Sequence, residues 1–543
     1  MHILTAAEMQ ACDRATTERH GIPSLLLMVS AAEAVANFVR SQFPSARRVT
    51  ILCGRGNNGG DGLMVARLLA APQDGSSSLA VTTLLLGSPD ALTGDAAEAW
   101  RELNAHLAHG PIHVVESAAG LALHGAALAA DLIIDAIVGT GFKPPLRGLA
   151  LAALDWAKSS SAPFLAVDLP SGWAADTTAA APAGPVFPAD AVITFTAPKP
   201  AHVFAQLTRH WHQPVVVAPI GSPSDVILSD LGLRWAGSAM RMVQAPRAAA
   251  ANKGNFGHVL VAGGSIGKSG APSMTALAAL RCGAGLVTAA VSEPVQPLVS
   301  AAAPELMTIR LPATAAGQLT AAGLTSQALA AATAGKTVLA LGPGLGQSPD
   351  TAAFMAALLR ATTIPAVIDA DALNLLAADP GMLSELTASA RAGRTIVLTP
   401  HPGEMARLAR LTVPQVQASR LEVALDFALR TGFTLVLKGA RTLIAHPGGA
   451  VAINTTGNPG MAKGGSGDLL TGFVAGLLAQ HREHPAQAVE AAVYLHGLAA
   501  DLAVRATDEH TLLATDSLLH LSQAFRFHSS GKNGYVWLQG LPD

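Results

Sequence analysis

Aromatic residues make up only 4% of this 543-residue chain, and charged residues only 13%. Few rings leave few platforms for stacking bases, and a net charge of −2 offers no basic field to a nucleic-acid backbone. Nucleic-acid binding is excluded on those grounds. Three cysteines, Cys12, Cys53 and Cys282, are odd in number and widely scattered, which argues against a disulfide framework or a zinc site. No uninterrupted apolar run reaches the ~18 residues of a membrane span, and Met-His-Ile-Leu-Thr lacks the basic-then-apolar pattern of a leader. The expectation is a cytoplasmic protein without a membrane partner. What the chain does have is alanine, glycine and aliphatic residues: half of it is hydrophobic, so burial is easy, and its length calls for two to four domains. Small-molecule chemistry remains.

The richest stretch runs from Asn454 to Gly476. Gly464, Gly465 and Gly467 precede Leu469, Leu470, Phe473, Val474, Leu477 and Leu478, which recur at helical spacing. A glycine loop feeding a helix N-terminus is an anion site, and glycines let a phosphate approach closely. Asp468 stands against a phosphate unless it has work to do. Taking a proton from a hydroxyl beside a phosphoryl group is such work. As a lone Gly-Asp it would be a helix-start acid favoured by the dipole; three glycines and a long apolar helix turn the balance toward catalysis. Gly472 and Gly476 spell Gly-x-x-x-Gly in a run too short for a membrane, which points to close helix packing.

In the first half, Thr5-Ala-Ala-Glu8 is a capping box opening a helix, and a second helix follows Pro23 from about Ser24 to Phe43. Val49–Cys53 reads as a buried strand, and Gly54 to Gly62 as a loop leading into a helix from Leu63 to Ala71. Strand-like runs recur at Val81–Leu86, Leu132–Ile137, Phe164–Asp168, Ala191–Thr196 and Pro214–Pro219. This alternation predicts a doubly wound, mostly parallel α/β sheet. Gly54-x-Gly56-x-x-Gly59 matches the dinucleotide fingerprint, but the second strand ends Leu86-Gly87-Ser88 without the acid that binds a ribose. Asp135 and Asp168 each close a strand. A single strand-end Asp is more often a turn residue, but strand ends in an open parallel sheet converge on one crevice, so together with the Asn57-Asn58 loop they form a candidate site.

With those residues in place, positions 1 to about 225 resemble the NAD(P)HX epimerase domain of the bifunctional NAD(P)H-hydrate repair enzymes, a Rossmann-like fold. The resemblance rests on Gly-Asn-Asn-Gly-Gly-Asp-Gly62, Asp135-Ala-Ile-Val-Gly-Thr-Gly141 and Asp168-Leu-Pro-Ser-Gly172. It implies interconversion of the R and S hydrates at nicotinamide C6. Asn57, Asn58, Gly59, Gly60 and Asp61, with Gly139, Thr140, Gly141, Phe142, Lys143, Pro144 and Pro145, would hold the hydrate. Asp168 would bind it and act as acid or base, and Asn58, Asp135 and Ser171 would ligate K+. The chain departs from the family at Leu27-Met28-Val29-Ser30-Ala31-Ala32, which lacks an acid and a glycine after the methionine, and at Trp173-Ala174.

From about Ser222 to Ala251 strand periodicity fades, and the boundary is placed between residues 228 and 229: domain one 1–228, domain two 229–543. Further strands then end in polar or glycine turns. His401 between two prolines reads equally as a turn residue or a site residue, and with Glu404 it falls short of a metal ligand set. Lys438 and Arg441 are cations suited to nucleotide phosphate. Residues from about 250 to 525 resemble the ADP/ATP-dependent NAD(P)H-hydrate dehydratases, a ribokinase-like α/β fold, through Lys253-Gly-Asn-Phe-Gly257, Gly342-Pro-Gly-Leu-Gly346, Asp369-Ala-Asp-Ala-Leu-Asn374, Thr399-Pro-His-Pro-Gly-Glu404, Lys438-Gly-Ala-Arg-Thr442 and Asn454 to Asp468. The resemblance implies that Lys438, Gly439, Ala440, Arg441, Thr442 and Gly467 bind the adenine nucleotide, ADP with ATP as the alternative, accompanied by Mg2+. Ala284, Gly346, His401 and Asp468 would face the hydrate. Lys463 stands where a small polar residue is expected and would add to the anion field.

The implied function is metabolite repair. NADHX and NADPHX are epimerised, and the S form is dehydrated to NAD(P)H while ADP becomes AMP and phosphate. A homo-oligomer is expected. A ribokinase-like small-molecule kinase with an accessory nucleotide-binding domain shares the glycine-Asp loop and would yield a stable phosphorylated product. A nucleotide-sensing protein without turnover is the reading from outside enzymology, and it would survive loss of Asp468.

Overall fold

Valine, isoleucine and leucine runs without polar alternation build strands that are covered on both faces. The computed structural model describes residues 1–71, 79–105, 110–531 and 533–542. The apolar runs form β1 (Arg48–Cys53), β2 (Ala80–Leu86), β3 (Ile112–Val115), β4 (Leu132–Ala136), β5 (Phe164–Val167), β6 (Ala191–Phe195) and β7 (Val215–Ala218). They lie in the order β7-β6-β5-β4-β1-β2-β3, parallel throughout, with a C-terminal strand Val536–Gln539 antiparallel to β7. Strand β1 has β2 on one side and β4 on the other, so the chain reverses its winding there. A crevice opens at such a switch point, outside the carboxyl ends of β1 and β4.

The glycines after β1 serve close backbone approach. A Cβ on Gly54 would fall on the Ile137 carbonyl oxygen, and one on Gly59 on that of Gly54, whereas Gly56 faces open space. The helix begins at Asn57, with Gly56 as its N-cap, and not at Leu63. Asn57 to Asp61 are therefore first-turn helical residues rather than a loop. Glycine is poor in a helix interior, and here Gly59 lies against the backbone of Gly54 while Gly62 lies against Cys53 of β1 and Ala136 of β4. The Thr5–Glu8 capping box forms and starts the helix Ala6–His20.

The chain divides into Met1–Leu233 with His528–Asp543, and Arg234–Phe527. The sequence pattern assigns everything after residue 228 to the second domain, but the last segment returns to the first unit. The edge of β7 needs a partner, and the tail provides one. The Tyr535 hydroxyl donates to the Ala34 carbonyl at 2.8 Å, and the Trp537 ring lies 6.4 Å from that of Phe38. Phe38 belongs to Ser24–Gln42, among the described residues the one helix with the length and composition of a membrane span. Half of this helix is buried within the protein, and Ala32, Val35, Phe38 and Val39 are inaccessible core residues.

The second unit holds β8 (Leu233–Trp235), β9 (His258–Gly263), β10 (Leu286–Ser292), β11 (Met307–Leu311), β12 (Val338–Leu341), β13 (Ala366–Ile368), β14 (Ile396–Leu398), β15 (Thr434–Leu437), β16 (Leu443–Ala445) and β17 (Val451–Ile453). Their order is β11-β10-β9-β12-β13-β14-β15-β16-β17-β8, parallel from β11 to β15 and antiparallel through β16 and β17. The helix Ser466–Gln480 crosses this sheet against the helix Gly270–Arg281. A Cβ on Gly472 would strike the Thr275 carbonyl oxygen, and one on Gly476 would come within 2.9 Å of that of Ala279. The Gly-x-x-x-Gly spacing thus serves helix packing, as expected.

Candidate active sites

At the carboxyl end of β5, Asp168 adopts φ 65, a left-handed conformation that Asp tolerates better than most residues. The turn aims its carboxylate back across the sheet. Oδ1 accepts from Lys199 Nζ at 2.8 Å and from the Thr194 hydroxyl at 2.9 Å; Oδ2 accepts from the Thr140 N–H at 2.9 Å and from its hydroxyl. Lys199 Nζ also donates to Thr194 Oγ1 at 2.7 Å. Burial alone would raise Asp168, but the buried Lys199 ammonium and these donors hold it far below the usual carboxylate range. His202 Nδ1 accepts from the Lys199 N–H, so Nε2 carries the proton and donates to the Asp168 carbonyl. Burial, then Lys199, pushes His202 down to about 4, which keeps it neutral.

Asp61, in the helix after β1, is pushed well above the usual range by burial and by the charges of Asp168 and Asp13. Asp13 is also raised by burial, and its Oδ1 is buried without a partner among the described residues. Beside this cluster Asn58 is 9% exposed, and both of its amide atoms are buried without partners among the described residues. A Cβ on Gly139 would lie 3.0 Å from Asp168 Oδ2 and 3.2 Å from the Asn58 amide carbon, so the three adjoin. Asp135 accepts from the Ser171 N–H at 2.7 Å and its hydroxyl at 2.6 Å, and Ser171 Oγ accepts from the Val138 N–H. Burial lifts Asp135 to about 6 despite these bonds. In the loop Gly139 to Pro145 beside them, Gly141, Lys143 and Pro145 are exposed and the other residues are half-buried. Trp173 is buried, and Val29 packs against the core.

In the second unit Asp468 lies in the first turn of Ser466–Gln480. Burial raises it to about 6, with Asp369 pushing the same way. Asp369, immediately after β13, accepts from Lys438 Nζ at 2.9 Å and from the Thr471 hydroxyl at 2.8 Å. Burial opposes the charge of Lys438, but Asp369 and Glu404 outweigh it, and the ammonium stays firmly protonated. A Cβ on Gly467 would be 3.4 Å from Lys438 Nζ. His401 caps the helix Pro402–Ala409, with Nδ1 accepting from the Gly403 N–H and its own N–H donating to Glu404. Its side chain is half exposed, and burial and Lys438 lower its pKa. Gly346 (φ 91) donates its N–H to Asp371 at 2.9 Å. The Lys438–Thr442 turn has its carbonyls held by Arg420, at 2.6 Å for Ala440, while Gly439 and Ala440 are exposed. Arg441 (φ 55) directs its guanidinium to the Thr455 carbonyl at 3.3 Å.

The structure places two of the expected residues elsewhere. Ala284 precedes β10, at the amino-terminal edge of the parallel strands, whereas Asp468 and Asp369 sit at the opposite edge. Gln480, at the far end of the Asp468 helix, reaches the carbonyl of Cys282 at 2.9 Å. Ala284 is thus not brought to the cluster. Lys463 donates to the backbone carbonyls of His510 and Leu512, which pins that loop rather than enlarging the anion field. Sequence reasoning also misses Lys199, Thr194, Asp13, Asp369, Thr471 and Arg420. The strand-end rule that flags Asp135 and Asp168 would have found Asp369, which directly follows β13.

The family model described as NAD(P)H-hydrate dehydratase matches residues 259–523, and that described as YjeF-related protein N-terminus matches residues 24–201. The bifunctional NAD(P)H-hydrate repair enzyme Nnr of Moorella thermoacetica is 41% identical over 539 residues, covering 97% of each chain. That of Escherichia coli is 36% identical, over 97% of this chain and 95% of its own. A crystal structure of the Bacillus subtilis ADP/ATP-dependent NAD(P)H-hydrate dehydratase, co-crystallised with ATP/Mg2+, is 33% identical. It covers 53% of this chain and 96% of its own, with a TM-score of 0.44.

Proposed function

This chain belongs to the family of bifunctional NAD(P)H-hydrate repair enzymes, and from that premise we propose how its two sites divide the work. The first unit interconverts the R and S hydrates of NADH and NADPH; the second dehydrates the S hydrate at the expense of ADP or ATP.

In the first site the hydrate lies over Asn57–Asp61 and the Gly139–Pro145 loop. The C6 hydroxyl leaves with a proton as the ring nitrogen's lone pair forms a C=N bond, and water then adds to the other face. Asp61, kept protonated by burial and by Asp168, lends that proton. Asp168, kept ionised by Lys199, orders the incoming water and takes its proton. The unpartnered Asn58 amide, the Ser171 hydroxyl and the buried Asp135 carboxylate form an oxygen-rich donor set that fits K+. The ion would offset the Asp135 charge and attract substrate oxygens.

In the second site the nucleotide lies over Lys438–Thr442 as its Mg2+ complex, with the terminal phosphate at Gly467. Asp468 takes the proton of the C6 hydroxyl, whose oxygen receives the terminal phosphoryl group. Hydroxide is a poor leaving group and phosphate a good one, so the ring nitrogen's lone pair then expels phosphate to leave a C=N+ iminium, and loss of a C5 proton to the departing phosphate gives NAD(P)H. The observation that carries this reading is a carboxylate lifted to about 6 at a helix N-terminus beside the Lys438–Asp369 pair. The test follows reduced nicotinamide by absorbance in a mixture of R and S hydrates with ADP, ATP or neither. Nucleotide-dependent recovery that proceeds beyond the S fraction, faster than spontaneous epimerisation, is expected. No recovery with either nucleotide would overturn the reading and favour a kinase.

A further inference from the structure

Lys268 lies in the turn between β9 and the helix Gly270–Arg281, at the edge of the sheet where Gly346 follows β12 and Asp369 follows β13. Its backbone runs against the neighbouring turn, for a Cβ on Gly344 would fall 2.7 Å from the Lys268 carbonyl oxygen. Its ammonium is 3.0 Å from Asp371 Oδ2, and its side chain is 52% exposed. Asp371 is largely buried and does not depend on it, because Oδ2 also accepts the Gly346 N–H and Oδ1 accepts from Gln347 Nε2 at 2.6 Å. A half-exposed ion pair is weak, so Lys268 can leave Asp371 at little cost. Lys438, by contrast, is held between Asp369 and Glu404.

The hydrates carry a pyrophosphate, and NADPHX a further phosphate. None of the groups assigned above to the hydrate in this unit carries a permanent positive charge, and Asp369, Asp371 and Asp468 all repel an anion. We propose that Lys268 is a substrate-binding residue of the second site, its ammonium leaving Asp371 for a phosphate oxygen of the hydrated dinucleotide. The inference rests on the dehydratase reading of this unit. Three phosphates share the required chemistry: the dinucleotide's pyrophosphate, its 2′-phosphate, and the phosphates of the adenine nucleotide.

The test is steady-state dehydration by the full-length wild type, Lys268→Ala and Lys268→Arg, on S-NADHX and S-NADPHX at saturating ADP, and then with ADP varied at saturating hydrate. For Lys268→Ala the hydrate KM should rise about tenfold, the loss of one charge-assisted bond. Its kcat should stay within about twofold, the KM for ADP should not move, and Lys268→Arg should restore the wild-type value. An equal rise for both hydrates assigns the contact to the pyrophosphate, and a rise for NADPHX alone assigns it to the 2′-phosphate. Added salt should raise the wild-type KM more steeply than that of the Ala variant. Unchanged hydrate KM values, or a rise confined to ADP, would overturn the proposal. Should Lys268→Ala melt early, Lys268→Gln carries the same comparison. A wild type that recovers no NAD(P)H would instead overturn the dehydratase reading.

Discussion

Lys438 Nζ donates a 2.9 Å hydrogen bond to Asp369 Oδ1, joining the turn after β15 to the end of β13. Because Asp369 Oδ2 is bonded to Thr471, the same carboxylate also fixes the helix that carries Asp468. The cation is thereby positioned beside the glycine N-terminus without being neutralised by Asp468. Asp468 itself is left with electrostatic neighbours only: no hydrogen bond from the described residues contributes to its shift. An uncommitted carboxylate, lifted by burial and by another carboxylate, is suited to accept a proton.

That arrangement sets the pH profile of dehydration. In the proposed mechanism Asp468 works as the carboxylate, so the rate at saturating nucleotide should fall on the acid side with an apparent pKa near its value of about 6. Asp468→Asn should lower kcat by at least ~100-fold, the worth of a positioned base. Epimerisation by the same sample should persist, which is read from the R:S ratio of the hydrates.

Lys199 and Asp168 make the corresponding pair in the first unit, and both side chains are nearly inaccessible. Lys199→Met would strand a buried carboxylate, a change of about 3–5 kcal/mol in denaturant unfolding of this unit. The pH dependence should also reverse. In the wild type Asp168 has a depressed folded pKa, so its contribution is present above the unfolded value near ~3.9 and is lost as pH falls through the folded one. Without Lys199, burial would raise the folded pKa instead, and the variant should gain stability on mild acidification. An unchanged slope of stability against pH would count against the pairing.

These pairs explain how far the residues could be read from the chain. Strands were legible because buried parallel strands need unbroken apolar runs, and the Asp468 helix because its glycines and leucines carry helical spacing. Asp168 stands out as a strand-end acid, but Lys199 stands between Pro198 and Pro200 and resembles a turn cation until the fold brings it to Asp168. Lys463 misled for the opposite reason: its charge sits next to the glycines in sequence, while its long side chain turns to the carbonyls of His510 and Leu512. The returning strand Val536–Gln539 is four residues long, too short to show which sheet it would join.

Asn58 offers a test of the cation site that does not depend on turnover. Its buried amide has no partner among the described residues, and such a group costs about 1–3 kcal/mol. In a buffer with a large organic cation, Asn58→Leu should be as stable as the wild type or more so. Adding K+ should raise the melting temperature of the wild type but not of the variant, by linkage to a site present only in the folded state. Epimerisation should respond to K+ in the wild type alone, and dehydration should be the same in both.

Two glycines of one helix should respond to alanine in opposite ways. At Gly472 a methyl group would collide with the Thr275 carbonyl oxygen and lie 2.6 Å from the Ala278 methyl, where neither backbone can yield easily. Gly472→Ala should therefore destabilise the second unit by about 1–3 kcal/mol, with the nucleotide KM of the surviving folded fraction unchanged. At Gly467 the nearest atoms are Lys438 Nζ at 3.4 Å and Asp369 Oδ2 at 3.7 Å, ordinary contact distances, so Gly467→Ala should fold normally. Its methyl group would instead occupy the space that a phosphate needs at the helix N-terminus. The nucleotide KM should rise at least ~10-fold for the loss of that approach, and thermal melting with kinetics on the two variants separates packing from phosphate binding. If Gly467→Ala binds nucleotide as the wild type does, the terminal phosphate does not lie against this turn.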